Sequence, residues 1–304
     1  AVAAVPEGLP AVVTITLALG LTKMAKVKAI VRRLPVVETL GSATVICSDK
    51  TGTLTKNEMT VTEIYTNHKS IKVSGLGYDP EGTFLLDNKK IDITKSKNLE
   101  LLLLSGALCT TAKLDHHQKG WSIIGDPTEG ALLVSSQKSG RSKDDLLKDF
   151  KFINEIPFDS NRKMMSVIYE HNGKQIAYIK GAPEIFLENC SHIYINGSIK
   201  KMTKSDRAKI HSQIDGMAKN ALRILAMGYR YVSPKKKISP QNVERNIVFV
   251  GLQGMIDPPR SEVKPALETC AKAGITTIMI TGDHAETARA IAIDLDIIDD
   301  KAPV

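Results

Sequence analysis

The residue best placed to do chemistry is Asp49. It follows the apolar, β-branched run Ala43-Thr44-Val45-Ile46-Cys47 and lies in the polar segment Ser48-Asp49-Lys50-Thr51-Gly52-Thr53-Leu54-Thr55. The run reads as a buried parallel strand. A carboxylate at a strand's carboxyl end sits where a doubly wound sheet places its chemistry. There Asp49 could act as a base, a metal ligand or a nucleophile. Thr51, Gly52 and Thr53 suit it to a phosphate-sized anion, through hydroxyl and backbone donors. A carboxylate attacking a phosphoryl group meets charge repulsion. A shared divalent cation offsets it, with a lysine or helix N-terminus on the outer oxygens. Thr281-Gly282-Asp283 offers such an N-terminus: it follows the strand-like Ile275 to Ile280 and precedes Ala285, Ala288, Ile291, Ala292 and Leu295 at helical spacing. Taken alone, that tripeptide is more often a helix cap.

A second chemical feature is Pro6-Glu7-Gly8-Leu9-Pro10. Two prolines interrupt backbone hydrogen bonding and free carbonyls. With the Glu7 carboxylate these make a hard-oxygen site for a cation such as Ca²⁺. An uncharged run from Gly8 to Thr22 follows, then Lys23, Lys26, Lys28, Arg32 and Arg33, with no acidic residue between Gly8 and Val37. A basic cluster after an apolar segment reads as the cytoplasmic flank of a membrane helix. A signal peptide would carry its basic residues first.

The elements that must position these groups follow from the pattern. Glu262 to Ala273, Ile275 to Ile280 and the helix after Asp283 read α-β-α. Between the two strand–loop units lie strand-like segments (Met165 to Tyr169, Gln175 to Ile179, Val248 to Leu252) and helix-like ones (Leu99 to Leu108, Thr128 to Ser136, Asp206 to Gly216), with turns at Asp79-Pro80 and Asn196-Gly197. The expected fold is α/β: a doubly wound core split by an inserted α+β domain, roughly Thr60 to Ile256. The composition, 42% hydrophobic and 24% charged over 304 residues, excludes long disorder and a small disulfide scaffold. Cys47, Cys109, Cys190 and Cys270 are dispersed and read as reduced thiols, and the seven histidines show no zinc spacing. Five basic residues of the membrane-proximal stalk contribute to the net +8, so nucleic acid is not needed to explain it.

Cys47 to Thr55, C-S-D-K-T-G-T-L-T, resembles the phosphorylation signature of P-type ATPases, ion pumps that pass through an aspartyl-phosphate. Pro6 to Pro10, Gly125-Asp126-Pro127-Thr128-Glu129, Lys180-Gly181-Ala182-Pro183-Glu184, Asp257-Pro258-Pro259-Arg260 and Thr281-Gly282-Asp283 follow in the family's order. The resemblance implies that Asp49 is the phosphorylated nucleophile. Lys50 and Thr51 would belong to its loop, and the Thr51 carbonyl would join Asp49 in holding Mg²⁺. Thr281, Gly282 and Asp283 would line the phosphate pocket. The inserted domain would hold ATP, with adenine stacked on Phe158, pocket lysines Lys163 and Lys180 beside Gly181, Glu129 near the base and Arg223 reaching the phosphates. Asp257 and Arg260 would complete the nucleotide site. Ser160 departs from the family, standing where reticulum-type calcium pumps often carry an arginine.

The resemblance further implies a haloacid-dehalogenase-like phosphorylation domain, incomplete here, and an integral membrane protein of the plasma membrane with the bulk of this chain cytoplasmic. The boundaries are 1–33 for a partial transmembrane helix and stalk, 34–59 and 257–304 for the phosphorylation domain, and 60–256 for the nucleotide-binding domain. Glu7 would bind the transported cation. Ca²⁺ is the expected ion, with sodium, protons and manganese left as alternatives. The actuator domain, the other transmembrane helices and a later G-D-G-x-N-D motif are missing, so the chain is expected to bind nucleotide without turnover. Partners are ATP, the cation, membrane lipid around the N-terminal helix and those missing parts. The alternative is a soluble haloacid-dehalogenase-type phosphatase or phosphotransferase with a large cap domain. Such enzymes usually carry an acid two residues after the nucleophile, where this chain has Thr51. A third reading is a nucleotide-binding module without catalysis.

Overall fold

A computed structural model describes residues 8–118, 120–235, 237–282 and 285–299, with residue 286 described by its backbone alone. Glu7 and Asp283 lie outside the described residues. The chain divides into two compact units. One is drawn from residues up to Ser48 with Glu262–Ile280, the other from Asp49–Ser261 with the residues from Thr281 onward.

Helix α1 (Leu9–Lys26) carries Pro10 in its first turn and has no buried residue. Leu9, Val12, Ile15 and Leu19 are each about 60% exposed. Thr14, Thr16 and Thr22 donate their hydroxyls to the carbonyls four residues back, at 2.8, 2.8 and 3.0 Å. Each polar side chain is thereby satisfied within the helix. After α2 (Leu34–Gly41) comes β1 (Val45–Asp49).

The centre of the chain forms one large sheet. β2 (Thr60–Thr66), β3 (Lys69–Val73), β4 (Phe84–Leu86) and β5 (Lys89–Lys90) are followed by α3 (Lys97–Leu108) and the hairpin β6 (Lys113–His117) and β7 (Gly120–Ile124). Then come α4 (Pro127–Gln137), α5 (Lys143–Asp149), β8 (Lys151–Asp159), β9 (Met164–His171) and β10 (Lys174–Gly181). The series continues with α6 (Pro183–Glu188), β11 (Cys190–Ile195), β12 (Ser198–Lys201), α7 (Lys204–Lys219), β13 (Arg223–Val232), α8 (Pro240–Val243) and β14 (Ile247–Ile256). Among the described residues eleven strands pair, nine in the order β5-β4-β3-β2-β14-β13-β10-β9-β8, with β11 attached to β14 and β12 to β11. Asn67-His68, Asp87-Asn88, Asn172-Gly173 and Asn196-Gly197 all have positive φ, as two-residue hairpin turns require.

Both faces of the central strands β9, β10 and β14 are covered, which explains their long apolar runs, whereas β5, β8 and β12 are largely exposed. On β9, Val167 and Tyr169 pack with Leu102 and Leu132 of α3 and α4. Ile168, between them, packs with Phe186, Ile210 and Ile214 of α6 and α7. Period-two alternation thus feeds two cores. The helices start where their caps direct: the Asp126 carboxylate accepts from Thr128 N and Glu129 N, and Thr203 with Asp206 forms a capping box.

After the sheet come α9 (Val263–Lys272), β15 (Thr276–Ile280) and α10 (Ala285–Asp294). β15 pairs with β1 in a two-stranded sheet. The expected burial of β1 is not observed: Val45 and Ile46 are 48% and 38% exposed. Two strands cannot cover each other's faces, and among the described residues this sheet gains no third. They do not by themselves define a doubly wound arrangement.

Candidate active site

Asp49 ends β1, and the loop after it turns at once. Thr51 (φ −76°, ψ 120°) and Gly52 (φ 75°, ψ −8°) have the angles of a type II turn, whose third residue needs a positive φ and hence favours glycine. The Asp49 side chain is exposed, whereas Lys50 is buried. Thr55, fully buried, closes the loop: its N–H donates to Lys50 O at 3.0 Å. Its hydroxyl has one proton, and the contact of 2.5 Å to Asp257 Oδ2 takes it.

Asp257 and Arg260 hold this loop from the far end of β14. Asp257 Oδ1 accepts from Glu58 N at 3.1 Å. Arg260 donates through its backbone N to Leu54 O at 2.9 Å and through Nη2 to Gly52 O at 3.0 Å. Lys56 N donates to Pro258 O at 3.1 Å. The chain leaving the loop and the chain leaving the sheet are therefore stitched together over residues 52–60 and 256–260. A cleft of about 520 Å³ opens here, its walls including Lys50, Arg223, Asp257 and Gly282. It draws together four residues that the sequence motifs place far apart.

The nucleotide candidates lie along one edge of the large sheet. β8 ends at Asp159 opposite Met164, where β9 begins; β10 ends at Gly181, opposite Met164 and Ala226. β13 begins at Arg223 opposite Met255, and β14 ends at Ile256 opposite Thr60. Antiparallel pairing thus lines up Phe158, Lys163, Gly181 and Arg223 on one rim, which the Asp257 linker also leaves. Phe158 is 61% exposed, and Lys163 and Arg223 are exposed too. Lys163 takes φ 48°, and its carbonyl accepts from Ala182 N at 3.0 Å. A Cβ on Gly181 would stand 2.7 Å from that carbonyl and 2.6 Å from Met164 Cγ. Only glycine lets the two strand ends approach this closely.

Lys180 and Glu129 form a sealed pair rather than two separate contacts. Lys180 Nζ lies 2.5 Å from Glu129 Oε1. Glu129 Oε2 accepts from Thr111 N, Thr111 Oγ1 and Ala112 N at 2.6, 2.9 and 2.9 Å. Burial pushes the Glu129 carboxyl up, but the Lys180 cation and these hydrogen bonds outweigh it and hold it below its ordinary value. Behind them Lys143 donates to Thr110 O at 2.6 Å, and burial pushes its pKa down. Burial also pushes the Cys109 thiol up to about 12, so it is an inert neighbour.

Sequence spacing does not single out Arg162 or Glu244. Arg162 Nη1 contacts both carboxylate oxygens of Glu244, and Arg162 Nη2 donates to Pro157 O at 2.7 Å. Glu244 is 3% exposed and also accepts from Ser166 Oγ at 2.9 Å. The available signal is the position of Arg162, between Phe158 and Lys163.

Residues 98–262 match the family described as P-type ATPase, cytoplasmic domain N, and the chain belongs to the P-type ATPases. Its relatives are named as calcium- or cation-transporting ATPases. It is 46% identical over 299 residues to a calcium-transporting ATPase of Bacillus subtilis, an alignment covering 98% of this chain and 34% of that protein. A cation-transporting ATPase of Synechocystis is 46% identical over 299 residues, covering 96% of this chain and 33% of that protein. For calcium-transporting ATPase 1 of Bacillus cereus the identity is 44% over 300 residues, with 99% and 31% covered. The chain thus spans about a third of the length of these relatives. Membership in this family disfavours the soluble phosphatase with a cap domain.

Proposed function

We propose that this chain carries the ATP site and the phosphorylated aspartate of a pump that moves a cation, Ca²⁺ by preference, across the plasma membrane. Residues 34–59 and 257–304 belong to a haloacid-dehalogenase-like phosphorylation domain and 60–256 to the nucleotide domain. ATP lies along the sheet rim, its base on Phe158 and its phosphates toward Lys163 and Arg223. The Lys180–Glu129 pair underpins this rim. The γ-phosphoryl group passes to the Asp49 carboxylate and ADP leaves, giving an aspartyl-phosphate whose formation changes ion access at Glu7. Asp283, with Thr281 and Gly282, lines the phosphate pocket.

The observation that carries the reading is the stitched linker. The Asp49 loop and the rim that bears Arg223 meet through Thr55 and Asp257, 202 residues apart in sequence. A nucleotide domain must deliver phosphate to a separate carboxylate, and such a connection supports a rim that leads to the Asp49 loop. Asp257 and Arg260 thus serve as loop clamps, with the cleft at Lys50 as the meeting place.

Mg²⁺ fits the donor set. Asp49 and the Thr51 carbonyl are hard oxygens. Among the described residues no group of three His, Cys, Asp or Glu gathers to hold a metal, at Asp49 or away from it, so the ion would lean on water and phosphate oxygens. Mg²⁺ keeps several waters and takes phosphate oxygens, so two protein donors suffice. When bound, it would neutralise charge between the carboxylate and the phosphate.

The membrane assignment rests on α1, which by length and composition is long and apolar enough to cross, with a mean hydropathy of 1.3 and none of its span buried. Eighteen helical residues rise about 27 Å, close to a hydrocarbon core of about 30 Å. Vesicles holding the full-length protein test the ion directly, by comparing phosphoenzyme formation in Ca²⁺, Mn²⁺, Na⁺ and K⁺. Stimulation by Ca²⁺ is expected; stimulation by another ion alone overturns the choice of Ca²⁺.

A further inference from the structure

The exposed Phe158 ring poses a mechanical question. A stacking platform must be held still, yet Phe158 is 61% exposed and lies near the end of β8, in a register shift between Ile156 (opposite Ser166) and Asp159 (opposite Met164). Its backbone must therefore be fixed from elsewhere. Asp159 does part of this: Oδ1 accepts from Asn161 N and Arg162 N, both at 3.0 Å, and Asp159 O accepts from Lys163 N at 2.7 Å. Those bonds shape the turn but tie it to nothing outside itself.

The Lys163 carbonyl, accepting from Ala182 N, ties the far end of the turn to the end of β10; the tie beside Phe158 is Arg162. Its guanidinium reaches two places at once: the Pro157 carbonyl, one residue before Phe158, and the Glu244 carboxylate, just past α8. Glu244 is buried and is itself held by the Ser166 hydroxyl on β9. The planar fork of arginine can serve two acceptors in fixed directions, which a lysine ammonium cannot copy. We infer that Arg162, anchored on Glu244, is the positioning residue that sets the height and angle of the adenine platform, and so contributes to base specificity without touching nucleotide. This rests on the proposed role of Phe158 in stacking adenine.

Binding by the full-length protein tests it, with ATP and inorganic tripolyphosphate as probes and thermal melting measured in parallel. Phe158→Ala should weaken ATP by about 5- to 150-fold, the range of one base–aromatic stack, and leave tripolyphosphate unchanged. If it leaves ATP unchanged, the stacking reading itself fails. Arg162→Met should weaken ATP by a similar factor and lower the melting temperature, because Glu244 loses its cation. In Phe158→Ala/Arg162→Met the two losses in ATP affinity should not add, as expected for groups acting as one unit.

Arg162→Lys separates positioning from mere stability. It restores a charge beside Glu244 but cannot also hold Pro157 O. The melting temperature should recover while ATP affinity stays several-fold weak. Wild-type ATP affinity in Arg162→Lys, or additive losses in the double variant, would overturn the inference. So would an equal loss of tripolyphosphate binding in Arg162→Met.

Discussion

Lys180 and Glu129 meet at 2.5 Å, with side chains only 8% and 11% exposed. They stand 51 positions apart in sequence, on β10 and α4, and their contact pins the helix to the sheet beside the rim proposed to hold ATP. Breaking a buried pair by removing one partner costs about 3–5 kcal/mol, because the other charge is stranded. Lys180→Met should therefore show a fall of that size in urea denaturation. Lys180→Met/Glu129→Gln, which keeps an acceptor for Thr111 N and Ala112 N, should recover much of the stability but not ATP binding. A single variant as stable as the parent would contradict the buried-pair account.

The same pair predicts an acid limit. The Glu129 carboxyl is held below its ordinary value of 4.5. A carboxylate depressed by folding stabilises fully above its unfolded pKa and loses that contribution as pH falls through the folded one. Stability attributable to the pair should be constant above about pH 5 and decline below 4.5. Glu129→Gln should flatten that decline, as read from melting temperatures at stepped pH.

Lys138 predicts the opposite slope. Its ammonium donates to Ser74 O and Gly75 O at 2.7 and 2.9 Å, and burial lowers its pKa from 10.5 to about 8 despite nearby Asp79. Between those values the unfolded chain holds a proton that the folded chain has released, so stability should rise with pH there. The difference between the parent and Lys138→Met, measured from pH 8 to 9.5, should grow in the parent's favour. A flat difference would count against it.

Much of the Asp49 region was legible because local chemistry dictates it. Asp49 ends a strand and opens a glycine-containing loop, as its flanking residues indicate, and Asn196-Gly197 is a turn. The spacing predicts a helix over Leu99–Leu108, and α3 spans Lys97–Leu108. The remaining contacts are non-local. Thr55 and Asp257 are joined across the whole inserted sheet, and Arg162 finds Glu244 82 positions away, in a short polar stretch with no period. The exposure of β1 was also not legible. An apolar run reports a tendency to be buried, whereas burial depends on the strands that flank it.

Two glycines should respond differently to alanine. At Gly52 the added Cβ meets only Asn57 Cβ, at 3.9 Å, so the cost is the positive φ alone, about 1–2 kcal/mol. At Gly181 it would strike the Lys163 carbonyl at 2.7 Å and displace the rim. Gly52→Ala should slow phosphorylation at unchanged ATP affinity, and Gly181→Ala should weaken ATP binding. Reversed effects in a paired binding and phosphorylation assay would undo the assignment of the two sites.

The most direct measurement is acid-stable phosphoenzyme formed by the full-length protein from γ-labelled ATP. Label should appear in the parent, be absent from Asp49→Asn and be discharged by hydroxylamine, as an acyl phosphate is. Label of undiminished amount in Asp49→Asn would show that the phosphoryl group goes elsewhere and would contradict the account.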